Sequence, residues 1–496
     1  MSKFIPPSTS TWNAPMLSAN IATRPARLSL MALACAGVLS ACSLMPAYER
    51  PAAPIPLQWP NAAAPEANYI DSKQRNFDAG WQAFFTDIRL QELVNIALAN
   101  NRDLRIAVLN TLQAQAQLGI RRADQFPTVN AALTGSRAPN SSGAITSSYA
   151  GGLTVTAYEI DFFGRVSSLK EQALAQYLAT TEGSRTAQIS LIATVAQGWL
   201  SLLADDELLS ASRQTLATRE ESLKLVDLKL RHGAASELDL QLAQTLLESA
   251  RATLAQQERQ RALDENALVL VLGQTLPDSA RAPTTASQLG TQHFAELPAG
   301  LPSELLQRRP DIRQAEQQLI ASNANIGTAR AAFFPRISLT AGAGSASSEL
   351  SGLFKEGSWG WTFAPQLVLP IFDAGRNQAN LDSARTGRDI AVAQYEKAIQ
   401  SAFREVADAL AGRDTLARQL TATQALLQAE TERTRLTKLR FDNGAASQLD
   451  WLDAQRSLFS ATQSLVQTRL AYLQNQVQLY KTLGGGAPAT APDPAL

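Results

Sequence analysis

At 496 residues, with 44 basic and 44 acidic side chains, the chain carries no formal charge excess. Nothing in that balance suggests a nucleic-acid footprint, which needs a basic excess on one face. Its two cysteines are Cys35, inside an N-terminal leader, and Cys42, so no internal disulfide framework is available to an exported chain.

Arg24 and Arg27 precede the apolar run Leu28 to Leu39, which is followed by Ser40-Ala41-Cys42. A basic n-region, a short apolar core and small residues before a cut define a secretory signal over residues 1–41. The run is too short to cross a bilayer as a helix, which takes about 20 residues. Its removal leaves 41 basic and 44 acidic side chains, a formal charge of −3. Met16 offers a second start inside the same leader. Residues 42–80 read as an extended strap, rich in proline and alanine from Pro46 to Pro65, with Tyr48 and Trp59 as anchors. Trp81, Phe84, Phe85, Leu90, Leu93 and Val94 then open the folded body on a helical spacing.

That body is written twice. Gly233-Ala234-Ala235-Ser236-Glu237-Leu238-Asp239 returns as Gly444-Ala445-Ala446-Ser447-Gln448-Leu449-Asp450, displaced by 211 positions. Gly164-Arg165 returns as Gly375-Arg376 at the same displacement, and Phe126-Pro127 returns as Phe334-Pro335 at 208. Repetition on this scale defines the architecture. It divides the chain into a first repeat at 81–276, a proline-rich connection at 277–302, a second repeat at 303–484 and a tail at 485–496.

No proline falls between Pro139 and Pro277, or between Pro370 and Pro488. Leu202, Leu209, Leu216, Leu223 and Leu230 recur every seven residues, the spacing of coiled-coil packing. The pattern predicts one helix from Val166 to Arg231, about 99 Å long, with a counterpart from Asn377 to Arg440. Shorter helices are expected at Leu90 to Gln125, Ser236 to Leu272, Ser303 to Phe334 and Ser447 to Leu483. Gly233 and Gly444 fall where a residue with φ > 0 closes the descending helix. Ser236 and Ser447 are placed to cap the ascending one. Both repeated phrases are therefore helical-hairpin tips at the same end.

Between the helices the period drops to two. Val129, Ala131 and Leu133 alternate with polar or small neighbours, as do Leu153, Val155 and Ala157. Ile337, Leu339 and Ala341, then Trp359, Trp361, Phe363, Leu367 and Leu369, repeat the pattern. Strands are expected at 127–136, 151–160, 335–345 and 359–369, each the length of a tilted transmembrane strand. Trp359 and Trp361 resemble an interfacial aromatic girdle. Four strands alone would leave unsatisfied edges in lipid, and bacterial barrels have about eight strands or more. Several copies must therefore contribute to one barrel. The fold class is mainly α with a β-barrel part, built from a duplicated helical-hairpin and β-hairpin repeat.

Taken together these residues resemble the TolC-like outer-membrane efflux ducts, in the lipoprotein branch typified by OprM and NodT. The most specific segments are Cys42-Ser43-Leu44 leading to Tyr48-Glu49-Arg50-Pro51, Phe333-Phe334-Pro335, Phe403-Arg404-Glu405-Val406-Ala407-Asp408, Leu452-Asp453-Ala454-Gln455-Arg456 and Leu479-Tyr480-Lys481-Thr482-Leu483-Gly484. The resemblance implies cleavage before Cys42 and attachment of lipid, such as palmitate, to it, with sorting to the outer membrane. It implies a homotrimer whose twelve-stranded outer-membrane β-barrel stands on a long periplasmic α-helical barrel. It also implies a periplasmic adaptor, an inner-membrane pump of the resistance-nodulation-division (RND) class, and efflux of drugs or other small molecules in multidrug resistance. No enzymatic activity, cofactor or metal site is expected beyond the lipid on Cys42.

The candidate gate lies at the tips. Leu449, Asp453 and Arg456 share one helix face by spacing, and in a trimer each becomes a ring of three that can bind cations or obstruct the opening. The resemblance implies an aperture role for Leu449 and Asp453, polar links for Arg456, and a second acidic ring at Asp450. Asp239 is the duplicated carboxylate of the first tip, where Leu242 stands in place of Asp453. Ala446 replaces an arginine that some relatives carry. A solvated i,i+3 pair accounts for Asp453 and Arg456 as well, and Asp450 is favourable at any helix N-terminus. The expected function is a passive exit duct of a tripartite efflux pump. Alternatives are a duct for type I protein secretion and a non-transporting coiled-coil lipoprotein.

Overall fold

The computed structural model describes residues 44–56, 59, 80–281, 288–295 and 309–485. The expected signal, Cys42 and the tail beyond Gly485 lie outside the described residues.

Each repeat runs a helical segment, two strands, a long helix and a shorter helix, and the leading segment of the first repeat is split in two. The first contains α1 (Ile88–Asn100), α2 (Arg102–Ala123), β1 (Val129–Pro139), β2 (Ile145–Ile160), α3 (Arg165–Arg231) and α4 (Glu237–Leu272). The second contains α5 (Pro310–Ala331), β3 (Arg336–Ser347), β4 (Trp359–Val368), α6 (Arg376–Asp442) and α7 (Gln448–Thr482). The long helices α3 and α6 each have 67 residues. The single helix expected from Leu90 to Gln125 is instead two. Asn101 interrupts it, accepting the Leu104 N–H at 2.9 Å as cap of α2 and donating to the Val271 carbonyl at 2.8 Å. A short amide side chain competes for backbone groups and so favours a cap over a helix interior.

The chain forms two compact units, and both draw on both repeats. Of the described residues, one unit gathers 44–46, 125–168 and 327–377; the other gathers those within 47–124, 169–326 and 378–485.

The first unit holds a four-stranded sheet in the order β1-β2-β3-β4, antiparallel throughout. Register places Val129, Ala131, Leu153, Val155, Ala341, Ala343, Trp361 and Phe363 on one face. Asn130, Ala132, Thr134, Thr154, Gly342 and Thr362 take the other, so one face is apolar and one is polar or small. The apolar face is open in the single chain, with Trp359 and Trp361 each 69% exposed. Pro365, which has no N–H to give a ladder, sits on the edge strand β4. Gly152 lies opposite Gly344, and a Cβ on Gly152 would stand 2.6 Å from the Gly344 Cα, so glycine permits this close approach.

β2 is longer than the sequence pattern suggests and does not keep simple alternation. A bulge between Val155 and Tyr158 carries Ala157 at φ 52°. The extra residue removes Ala157 from the apolar face expected for it and puts Tyr158 there, opposite Leu339. Glu159 consequently turns to the polar face beside Ser338. There it accepts from Arg165 at 2.7 and 2.6 Å and pairs with Arg336 at 3.0 Å.

The second unit is helical. Phe84, Phe85, Leu90 and Leu93 pack with Trp199 and Leu200 of α3, Leu268 and Leu272 of α4, and Tyr480 of α7. Truncating a buried tryptophan such as Trp199 costs about 3–5 kcal/mol. A second cluster joins Ile312, Tyr395, Ile399 and Val406 to Trp59, which stacks on Phe403 with ring centroids 4.5 Å apart. Tyr48 and Arg50 both donate to Glu316 of α5, at 3.1 Å and at 2.6 and 2.7 Å, so the two expected strap anchors, Tyr48 and Trp59, both pack on the second repeat.

The leucine ladder is one of two seams on α3. Leu202 and Leu209 are buried, whereas Leu216, Leu223 and Leu230 are half-buried. Ser212, Arg219 and Val226, also seven apart and offset by three, are buried beside them. Together the seams make the two-position heptad of coiled-coil packing. Part of α3 is apolar enough to cross a membrane, but 61% of that stretch is buried in the protein, as in a core helix.

The two hairpin tips as the candidate gate

Both tips use the same backbone solution. Gly233 at φ 71° and Gly444 at φ 72° close α3 and α6 in the left-handed region. The N–H of Ala234 then reaches the Lys229 carbonyl at 2.7 Å, and that of Ala445 reaches the Arg440 carbonyl at 2.7 Å. These are helix-closing bonds that a left-handed residue permits.

Ser236 and Ser447 start the ascending helices, each within a reciprocal cap. Asp239 Oδ2 accepts from the Ser236 N–H at 2.9 Å and from its hydroxyl at 2.7 Å, while the Asp239 N–H donates to Ser236 Oγ at 3.2 Å. In the second tip the same three contacts join Ser447 and Asp450 at 2.9, 2.7 and 3.1 Å. Hydrogen bonds from Ser236 hold the Asp239 carboxyl below the usual range, those from its backbone N–H first. Those from Ser447 do the same for Asp450, led by the side chain. Each aspartate therefore has a local task as the third-position acid of a capping box.

Behind the loops the tips differ. Asp453 accepts from two arginines: Arg456, one turn on, reaches Oδ1 at 2.6 Å, and Arg433 on α6 reaches Oδ2 at 2.8 Å. Arg433 also donates to both oxygens of Glu430, at 3.2 and 3.1 Å. Asp453 is thus a paired carboxylate within its own chain. Leu449 projects 61% exposed from the first turn of α7. The first tip has Arg219, Ser222, Leu242 and Thr245 where the second has Glu430, Arg433, Asp453 and Arg456. Arg219 is buried and crosses to the second repeat, donating to Gln455 at 2.8 Å. Burial, with Arg456 adding repulsion, pushes its guanidinium downward. The tips also touch through Lys229, whose ammonium lies 4.7 Å from the centre of the Phe441 ring.

Leu449, Asp450, Asp453 and Arg456 therefore lie together on the first turns of α7, and Asp239 holds the equivalent cap on α4. Arg433, Glu430 and Arg219 escaped the sequence reading because they stand on other helices. A signal existed for Arg433. It precedes Gly444 by nearly as many residues as Asp453 follows it, and a hairpin places such mirrored positions side by side.

The sequence matches the family described as outer membrane efflux protein over residues 93–274 and 301–485. It is 47% identical over 469 residues to two proteins of Pseudomonas putida, the antibiotic efflux pump outer membrane protein ArpC and the toluene efflux pump outer membrane protein TtgC. Each match covers 92% of this chain and 96% of the relative. The solved open state of the MtrE outer membrane channel of Neisseria gonorrhoeae matches with a TM-score of 0.81 at 40% identity, covering 90% of this chain and 98% of that one. The long helices, the apolar-faced sheet and these matches agree: the chain belongs to the outer membrane efflux protein family and is an outer-membrane channel of an efflux pump.

Proposed function

We propose that three copies of this chain close one twelve-stranded barrel, each contributing β1 to β4, and that the α3–α4 and α6–α7 hairpins close its periplasmic end. The carrying observation is a four-stranded sheet with one apolar face, whose outer strands β1 and β4 have one neighbour each. Such edges are untenable in lipid until another chain pairs with them. Residues 1–41 are the signal, Cys42 carries the lipid, and 81–276 and 303–484 are the duplicated units.

The duct works passively, without catalysis or cofactor, together with a periplasmic adaptor and an inner-membrane pump of the RND class. Relatives named for antibiotic and toluene efflux support small apolar or amphipathic molecules as its cargo. Leu449 and Asp453, with Asp450, Arg456 and Asp239, form the closed aperture. Here the aspartate acts through charge-paired links to Arg433 and Arg456, which differs from a ring of bare carboxylates.

Mass determination in detergent and single-channel recording in planar bilayers test this reading. The expected result is a trimer of small conductance that rises on Asp453→Ala. A monomer, or a species that never inserts, would instead support a tethering coiled-coil lipoprotein.

A further inference from the structure

Away from the tips, five carboxyl groups and two guanidinium groups gather where α4 runs beside α3. Asp205, Asp206 and Glu207 follow one another on α3, and Asp264 and Glu265 lie on α4. Arg261 of α4 pairs with Asp206 at 2.5 Å and with Glu265 at 2.8 Å. Arg469 of α7 stands 3.6 Å from Glu207. Neither cation hydrogen-bonds Asp205, which is only 6% exposed and whose Oδ2 has no hydrogen-bond partner. The Asp205 carboxyl does lie within hydrogen-bonding reach of Asp264, which also accepts from Gln260 at 3.2 Å.

Two ionised carboxylates cannot hydrogen-bond each other, because each is an acceptor only. One must keep a proton, and like charges in contact favour that outcome. Burial first, then the contact with Asp264, pushes Asp205 up to about 7. Glu207 is also pushed up by burial, against the opposing pull of Arg469. No group of three or more His, Cys, Asp or Glu side chains among the described residues is arranged to hold a metal ion. A proton is the cation this geometry suits.

The position gives the pair mechanical weight. Ala204, Leu208 and Leu268 belong to the main core, whereas no residue of α4 between Leu247 and Leu268 is buried. Asp205 and Asp264 thus bridge the two helices at the point where the first hairpin leaves the core.

We propose that Asp205 and Asp264 share one proton, and that this proton fastens α4 to α3 at the root of the first hairpin. Proton loss places two like charges in contact and loosens the seam. A carboxyl whose folded value is raised binds its proton more tightly when folded. The stabilisation is therefore complete below the unfolded value of about 4 and is lost as pH rises toward about 7.

Infrared spectra and melting temperatures of the purified channel, between about pH 5 and about pH 8, test the assignment. Wild type is expected to show a protonated carboxyl band that disappears near neutrality, accompanied by a falling melting temperature. Asp205→Asn removes the band and flattens the pH slope, since its amide donates to Asp264 at every pH. If that variant does not assemble, Asp264→Asn presents the same bond from the other side. Absence of a carboxyl band titrating near neutrality, or one common pH slope in wild type and variant, would overturn the proposal.

Discussion

The loops at 233–239 and 444–450 share a left-handed glycine and a reciprocal Ser–Asp cap, with matching distances. One turn further on they part. The second tip ties Asp453 to Arg456 and Arg433, while the first has Leu242, Thr245 and Ser222 at those positions and sends buried Arg219 across to Gln455. The turn is held by chemistry within a few residues of itself, so two copies of the phrase give two copies of the geometry. The ion network joins separate helices and is free to differ between copies. Equal loops therefore present unequal surfaces, and an aperture of alternating tips would be braced mainly by the second.

The largest expected effect breaks the comparison outright. Asp453→Ala should raise closed-state conductance severalfold, whereas Leu242→Ala at the equivalent first-tip position should leave it near wild type. Matching increases in planar-bilayer recordings would show that the two tips contribute alike. Next in size, Gly233→Val and Gly444→Val force a side chain into the left-handed region at about 1–2 kcal/mol each. Their melting temperatures should fall by similar amounts, because the two loops have the same backbone.

The caps come next. Ser236→Ala and Ser447→Ala should each cost about 1 kcal/mol locally, read as faster amide exchange in the first turns of α4 and α7. Both capping carboxylates have depressed folded values. Their contribution is present above the unfolded value of about 4 and is lost as pH falls through the lower folded value. First-turn protection should therefore persist at neutral pH and fade in acid, equally at both tips. The smallest effect sharpens the contrast. A double-mutant cycle on Arg433 and Asp453 should give a coupling of about 0.2–1 kcal/mol, as for other exposed pairs. Zero coupling would leave Arg456 as the sole brace of Asp453.

Much of the site was legible because its geometry is local. Gly444, Ser447 and Asp450 announce a helix end, a cap and a third-position acid within seven residues. Leu449, Asp453 and Arg456 share a face by spacing alone. Asn101 was misread because apolar periodicity continues on either side of it, and its role as cap depends on the Val271 carbonyl 170 positions away. Ala157 was misread because a bulge is set by how β2 pairs with β3, and alternation in one strand cannot reveal it.

The sequence by itself determined the duplication, the helical hairpins with their tips, the strand segments and the need for partners at the sheet edges. Those features rest on periodicity and on contacts within about one helical turn. Only the tertiary structure decided that a second heptad seam of α3 is buried beside the leucine ladder, that Arg433 rather than solvent meets Asp453, and that Asp205 faces Asp264. These pairings join residues on different helices, and which charges meet depends on the rotation and register of the packed helices.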